Sequence, residues 1–118
     1  MASLKQQLND LLKVEGINAA VVVGRDGFVI EGLTNGASLD VEAVGAVVST
    51  GIGSAEVMGR ELGVGTMSVG MLEYEQGIIE MSFLGREAVL AVVADSNANL
   101  GNVRYQVKKR HPDLVAAL

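Results

Sequence analysis

Ile17-Asn18-Ala19-Ala20-Val21-Val22-Val23-Gly24-Arg25-Asp26-Gly27-Phe28-Val29-Ile30-Glu31 is the stretch whose reading decides the fold. A β-branched run, an Asp-Gly turn and a second apolar run encode a β-hairpin, with strands near 17–24 and 28–33. Just upstream, Leu4, Leu8, Leu11 and Leu12 recur at helical spacing over residues 4–15. Ser3 and Gln6 are placed for a capping box, and Gly16 suits a left-handed stop. A chain that opens helix, strand, strand is not organised as a doubly wound parallel sheet, whose neighbouring strands are joined through helices.

Working outward, Thr34-Asn35-Gly36-Ala37-Ser38 is rich in turn residues, and Ser38 or Asp40 is placed to cap a second helix. Val41, Val44, Val48, Ile52, Ala55, Met58 and Leu62 then recur every three or four residues, which predicts a long helix over 41–62 with a core-facing stripe. Gly63 and Gly65 end it. Thr66–Tyr74 reads as a strand, Glu75-Gln76-Gly77 as a turn, and Ile78–Leu84 and Glu87–Ala94 as two strands joined by Gly85-Arg86. Asn97 or Asn99 caps a last helix through Leu100, Val103 and Val107 to Arg110. His111-Pro112 is expected to interrupt it, leaving Asp113–Leu118 as a weak helical tail. The expectation is one α+β domain over residues 1–118, ordered helix-strand-strand-helix-strand-strand-strand-helix. Its five-stranded antiparallel sheet would carry the long second helix on one face and the terminal helices on the other.

Composition limits what such a domain does. With 118 residues, 49% hydrophobic and only 3% aromatic, the core must be built from aliphatic side chains and methionine. A net charge of -5 and a sequence pI near 4.7 oppose general binding to a phosphate backbone, so no nucleic-acid partner is expected. The absence of cysteine excludes disulfides, thiol catalysis and cysteine metal sites. No basic segment followed by an apolar signal core opens the chain, and glycine or charge breaks the apolar runs short of the ~20 residues a membrane span needs. A cytoplasmic protein without membrane insertion is expected.

A search for chemistry finds little. Gly51-Ile52-Gly53 and Gly63-Val64-Gly65 lack both the third glycine of a dinucleotide fingerprint and the Gly-Lys-Ser/Thr of a P-loop. The lone His111, beside Lys108, Lys109 and Arg110, reads as a basic helix end that complements the macrodipole. Glu73, Glu75 and Glu80 surround a hairpin turn and read as solvated strand ends rather than as paired catalytic carboxylates or a divalent-ion site. Arg25, Arg60, Arg86 and Arg104 are taken as solvated surface cations. No catalytic residue, cofactor or metal is expected.

One feature is left unexplained by local physics. Gly45, Gly51, Gly53 and Gly59 each cost about 1 kcal/mol relative to alanine inside a helix. Gly45, Ser49 and Gly53 form a small-residue stripe, with Ala46 and Thr50 alongside. Either the helix packs tightly on its own sheet, or the stripe meets a symmetry mate or partner. The strand beginning at Thr66 poses a parallel choice. Its Val69, Met71 and Leu72 either pair fully within the monomer or form a sticky edge that a second copy covers.

The chain resembles the Roadblock family, the dynein-light-chain-related domains that include MglB-type bacterial regulators of Ras-like GTPases. The resemblance spans nearly the whole chain. It is carried by the helix ending in Glu15-Gly16, the run Ala19-Ala20-Val21-Val22-Val23, the turn Arg25-Asp26-Gly27 with Val29-Ile30, the long small-residue helix, and Asn99-Leu100-Gly101-Asn102-Val103-Arg104. It implies a homodimer or heterodimer, with one continuous sheet formed through Met67, Val69 and Met71 of the central strand. It further implies that Ala46, Ser49, Thr50, Gly53 and Val57 of the second helix receive a small Ras-like, MglA-type GTPase. Hydrolysis would then occur on the GTPase, and this chain would be a noncatalytic regulator. Two other readings stand beside it: a scaffold subunit linking larger proteins, as light-chain-type relatives do, and a small-ligand sensor of a two-component or kinase pathway. The sensor would use a pocket beneath the helices, which Met67, Met71 and Met81 permit although methionines more often fill a core.

Overall fold

The computed structural model describes residues 2–36 and 39–118. Its elements are α1 (Leu4–Leu12), β1 (Ile17–Gly24), β2 (Val29–Thr34), α2 (Val41–Glu61), β3 (Val69–Tyr74), β4 (Gly77–Leu84), β5 (Ala88–Asp95) and α3 (Leu100–Ala116). The five strands form one antiparallel sheet in the order β2-β1-β5-β4-β3. The expected class, element order and sheet are all present.

The opening hairpin closes as its sequence dictates. Gly27 takes φ 89°, a conformation that side chains resist, and the Gly24 N–H donates to the Phe28 carbonyl at 2.8 Å. Asp26 Oδ1 accepts from the Phe28 N–H at 3.0 Å, which fixes the turn from within. Ser3 and Gln6 exchange both bonds of the capping box on α1. Asp40 caps α2 by accepting from the Glu42 N–H at 3.0 Å, and Asn99 caps α3 by accepting from the Asn102 N–H at 2.8 Å. The alternative cap Ser38 and its neighbour Ala37 lie outside the described residues.

Pleat alternation divides the core in two. On one face, Leu8 and Leu11 of α1 and Val103, Val107 and Leu114 of α3 pack on Ala20, Val22, Leu90 and Val92. On the other, Val48 and Ile52 of α2 pack on Met81, Val89 and Ala91. The long helix therefore has one face of the sheet to itself, and the terminal helices share the other.

Several expectations are corrected. α1 ends at Leu12 rather than near residue 15, and β3 begins at Val69 rather than Thr66. Pro112 does not interrupt the last helix, which runs through it to Ala116. The proline forfeits the hydrogen bond to the Lys108 carbonyl. Fully buried Leu114 offsets that loss, and so does Gln7 Nε2, which donates to the Asp113 carbonyl at 3.0 Å. His111 is consequently inside α3 rather than at its end. Its Nε2 lies 2.7 Å from the Phe83 carbonyl of β4, so that the Nε2–H tautomer pins helix to sheet.

Arg25 is not simply solvated. Its guanidinium meets the Glu56 carboxylate of α2 through two hydrogen bonds, 2.9 and 3.0 Å, while its Nε donates to the Arg86 carbonyl. The same group lies 4.6 Å from the centroid of the Phe83 ring. One side chain thus ties the β1–β2 turn, the β4–β5 turn and the last third of α2 together. The hydrogen bonds from Arg25 hold the Glu56 carboxyl below its ordinary range.

Glu80 is not a solvated strand end either. It alternates with Ile78, Ser82 and Leu84 on the face of β4 beneath the terminal helices, and only 1% of it is exposed. Neither carboxyl oxygen has a hydrogen-bond partner, and burial pushes the group up to about 7 against the opposing pull of Arg104.

Two outcomes are expected. Replacing Arg25 with alanine lowers stability by about 0.5–1 kcal/mol near neutral pH, as befits a partly exposed bidentate pair. Because the Glu56 carboxyl is depressed in the fold, its contribution is present above the ordinary value of 4.5 and is lost as pH falls through the folded value. Denaturant titrations of wild type and variant should accordingly converge in acid. Glu80 behaves in the opposite sense: with the folded value near 7 and the ordinary value 4.5, stability is fully present below 4.5 and falls as pH rises through about 7. Glu80→Gln should therefore match wild type at about pH 4 and exceed it at about pH 8, by on the order of 2 kcal/mol. Parallel pH profiles for the two proteins would rule out the burial described here.

Candidate interaction surface

The surface expected to meet a partner is built on α2, whose sequence is more apolar than one core stripe requires. Of its 21 residues only Gly45, Val48 and Ile52 are buried. Ala46, Thr50, Gly53 and Val57 follow one another at four-, three- and four-residue steps along the outward ridge, and all but the half-buried Gly53 are exposed. The hydroxyls of Ser49 and Thr50 both donate to the Ala46 carbonyl, at 3.0 and 3.2 Å. With its hydroxyls already bonded within the helix, the ridge offers little competing polarity.

The helix glycines divide between the two readings of the sequence. A Cβ on Gly45 would lie 3.0 Å from Val29 Cγ2 and 3.3 Å from the Gly27 carbonyl oxygen, so this glycine lets the helix approach the hairpin. Ser49 belongs to the same contact, with its Oγ 3.2 Å from where a Gly27 Cβ would stand. A Cβ on Gly59 would collide with the Gly65 carbonyl, while one on Gly51 would meet Met81 at an ordinary 3.8 Å. Gly53 differs, since a Cβ there would meet nothing within 4 Å. No contact among the described residues accounts for it.

The apolar stripe on α2 is only partly covered, which corrects the sequence expectation. Met58 and Leu62, placed in the core by their spacing, are 59% and 76% exposed. Spacing defines a helix face but not how far the sheet beneath it extends. α2 packs closely on β1, β2 and β5, and its last turns meet the 63–67 connection instead of a strand. Val47, Met58, Leu62 and Val64 therefore make an exposed apolar flank that the sequence reading missed. Beside Val47, a groove of about 400 Å³ opens between α2 and the Ile79 and Val93 side chains of the sheet.

β3 lies at the sheet edge beyond β4. It pairs on one side from Val69 opposite Ser82 to Tyr74 opposite Gly77, and its other side is an unpaired backbone edge. Leu72 and Tyr74 are exposed on the α2 side. The three strand residues singled out by sequence do not share a face. Val69 and Met71 lie toward the terminal helices, whereas Met67 precedes the strand and lies on the α2 side, over Gly70 and beside Met81.

Among the described residues, no three acidic or histidine side chains converge in a way that would hold a metal ion. α2 is long and apolar enough to cross a membrane by length and composition alone. In this fold it joins two strands of a single sheet, and its inner face is packed on that sheet.

Comparison with known proteins matches this architecture. The Roadblock/LC7 domain pattern matches residues 4–94, from α1 into β5. The uncharacterized protein MJ0310 of Methanocaldococcus jannaschii is 42% identical over 102 residues, covering 86% of this chain and 88% of that protein. Among solved structures, an MglB with a tetrameric arrangement shares 20% identity and superposes with a TM-score of 0.89, covering 97% of this chain and 86% of that one. Myxococcus xanthus MglB shares 18% identity with a TM-score of 0.87, covering 96% and 92%. At these identities the two structures speak for the fold, whereas the domain pattern and the archaeal relative speak for descent. The chain belongs to the Roadblock/LC7 family.

Proposed function

We propose that this protein is a noncatalytic dimeric regulator of a small Ras-like GTPase, with α2 as the platform that biases the GTPase conformation. The observation that carries this reading is the surface of α2: a small, apolar outer ridge and an exposed apolar flank beside an unpaired sheet edge. Exposed apolar area that is contiguous with a free strand edge favours association, because pairing the edge and covering the flank remove two liabilities together. A second copy joined through β3 would extend the sheet, with Met67, Val69, Met71 and Leu72 at the junction. Ala46, Ser49, Thr50, Gly53 and Val57 would then be available to the GTPase. Membership of the Roadblock/LC7 family, in which MglB is a structural neighbour, supports the same reading.

The chain is expected to sediment at twice its 12.3 kDa mass. Leu72→Asp, which places a charge on the exposed side of the edge strand, is expected to return it to the monomer mass. Sedimentation at the monomer mass by the wild type would end the dimer proposal. Gly53→Arg tests the platform separately. The open space around Gly53 accepts a side chain, and loss of a helix glycine should raise stability by about 0.5–1 kcal/mol. The variant should stay folded and dimeric but lose binding to the small GTPase of its own organism, measured by calorimetry in the GDP and GTP-analogue states. Undetectable wild-type binding in both states would refute regulation, and equal binding in both would make the protein a passive adaptor. Unchanged binding by Gly53→Arg would show that another face is used.

A further inference from the structure

The sheet face opposite α2 carries a second feature, independent of any dimer. Between α3 and the β3–β4 side of the sheet is a cavity of about 300 Å³, whose polar lining is Ser68, Ser82, Arg104, Lys108 and His111. Arg104, Lys108 and His111 are spaced by four and three residues, which puts them along one side of α3. His111 is held at this cavity by its bond to the Phe83 carbonyl. Ser82 Oγ is the unusual member. Its residue is only 2% exposed, it lines the cavity, and its hydroxyl has no hydrogen-bond partner.

Buried hydroxyls are nearly always paired, so an unpaired one on a residue that lines a cavity marks a place for a bound group. The charges on that cavity specify its sign. Among the described residues Arg104 and Lys108 make no ion pair, in contrast to Arg110, which meets Asp10 at 3.6 Å. The neighbouring acid is Glu80 on β4, which burial pushes up to about 7, so its negative charge is suppressed in mildly acidic solution. Two cations and two serines then line the same space, a donor-rich set without its acceptor.

We propose that this cavity binds a small oxyanion, a phosphate or carboxylate group, with Arg104 and Lys108 supplying charge and Ser82 a buried donor. The test is a titration of the labelled full chain with inorganic phosphate, and separately with acetate, at about pH 6, where Glu80 is mostly neutral. Amide shifts are followed by NMR against sodium chloride at matched ionic strength. Saturable shifts centred on Ser68, Val69 and Ser82 are expected with at least one of the two anions and not with chloride. Arg104→Gln should weaken binding by about tenfold or more, as expected for loss of a charge-assisted hydrogen bond. Ser82→Ala should weaken it to a smaller extent. Because Arg104 is exposed, its variant keeps the test decisive even if Ser82→Ala fails to fold. Absence of saturable shifts, equal shifts with chloride, or unchanged affinity in Arg104→Gln would each overturn the proposal and leave Ser82 to water alone.

Discussion

The antiparallel pairing of β1 with β5 is the constraint on which the remaining structure depends. It joins the two halves of the chain through a register running from Ile17 opposite Ala94 to Gly24 opposite Ala88. Both strands are almost wholly buried, so both faces of the sheet centre require a cover. α1 and α3 together supply one cover and α2 alone the other. With β1 and β5 central, the hairpin partner β2 becomes one edge and β3 the other. The placement of every potential interaction surface follows from that one pairing.

Covering is unequal on the two faces, and that inequality generates the α2 surface. Two helices share the larger core, whereas one 21-residue helix spans the other face and is drawn toward β1 and β2 by Gly45 and by the Arg25–Glu56 pair. Close approach at the hairpin leaves the opposite flank unsupported. Met58 and Leu62 have apolar side chains but no strand beneath them, and Val47 overhangs the groove that opens toward Ile79 and Val93. A helix with one apolar stripe and one cover would bury that stripe, but this helix is apolar over a wider arc than its sheet reaches.

The fold was legible because its signals were local. Turn chemistry at Asp26-Gly27, caps at Ser3, Asp40 and Asn99, and period-two strands each specify an element without knowledge of the rest. The misreadings came where tertiary contact overrode local pattern. Pro112 reads as a stop until Leu114 and the Asp113 carbonyl find partners across the core. Glu80 reads as exposed from its nearness to a turn, yet strands on both sides of β4 and α3 above it enclose the carboxyl. Arg25 looked free because its partner Glu56 is thirty-one residues away. The candidate surface was legible only as a stripe of small residues. Distinguishing Gly53 from Gly45 required distances that sequence spacing does not contain.

Both ends of the sheet are edges, and they differ in how they are held: the β1–β2 hairpin leaves Phe28 and Ile30 exposed but is tied closely to α2. Around β1 and β2 the glycines are filled by close neighbours and Arg25 has three partners. Around β3 and β4 are an unpaired edge, an overhanging apolar flank, an unpartnered Ser82 hydroxyl and an unpartnered Glu80 carboxyl. Each costs stability, and none has an internal compensation. The unpaired hydroxyl, the unpaired carboxyl and the overhanging flank gather toward one end of the sheet, and such costs mark the part of a fold that meets other molecules. The hairpin that specifies the fold also seats α2, so the proposed platform rises above it, whereas the β3 edge and the cavity beside Ser82 lie toward the opposite end of the same sheet.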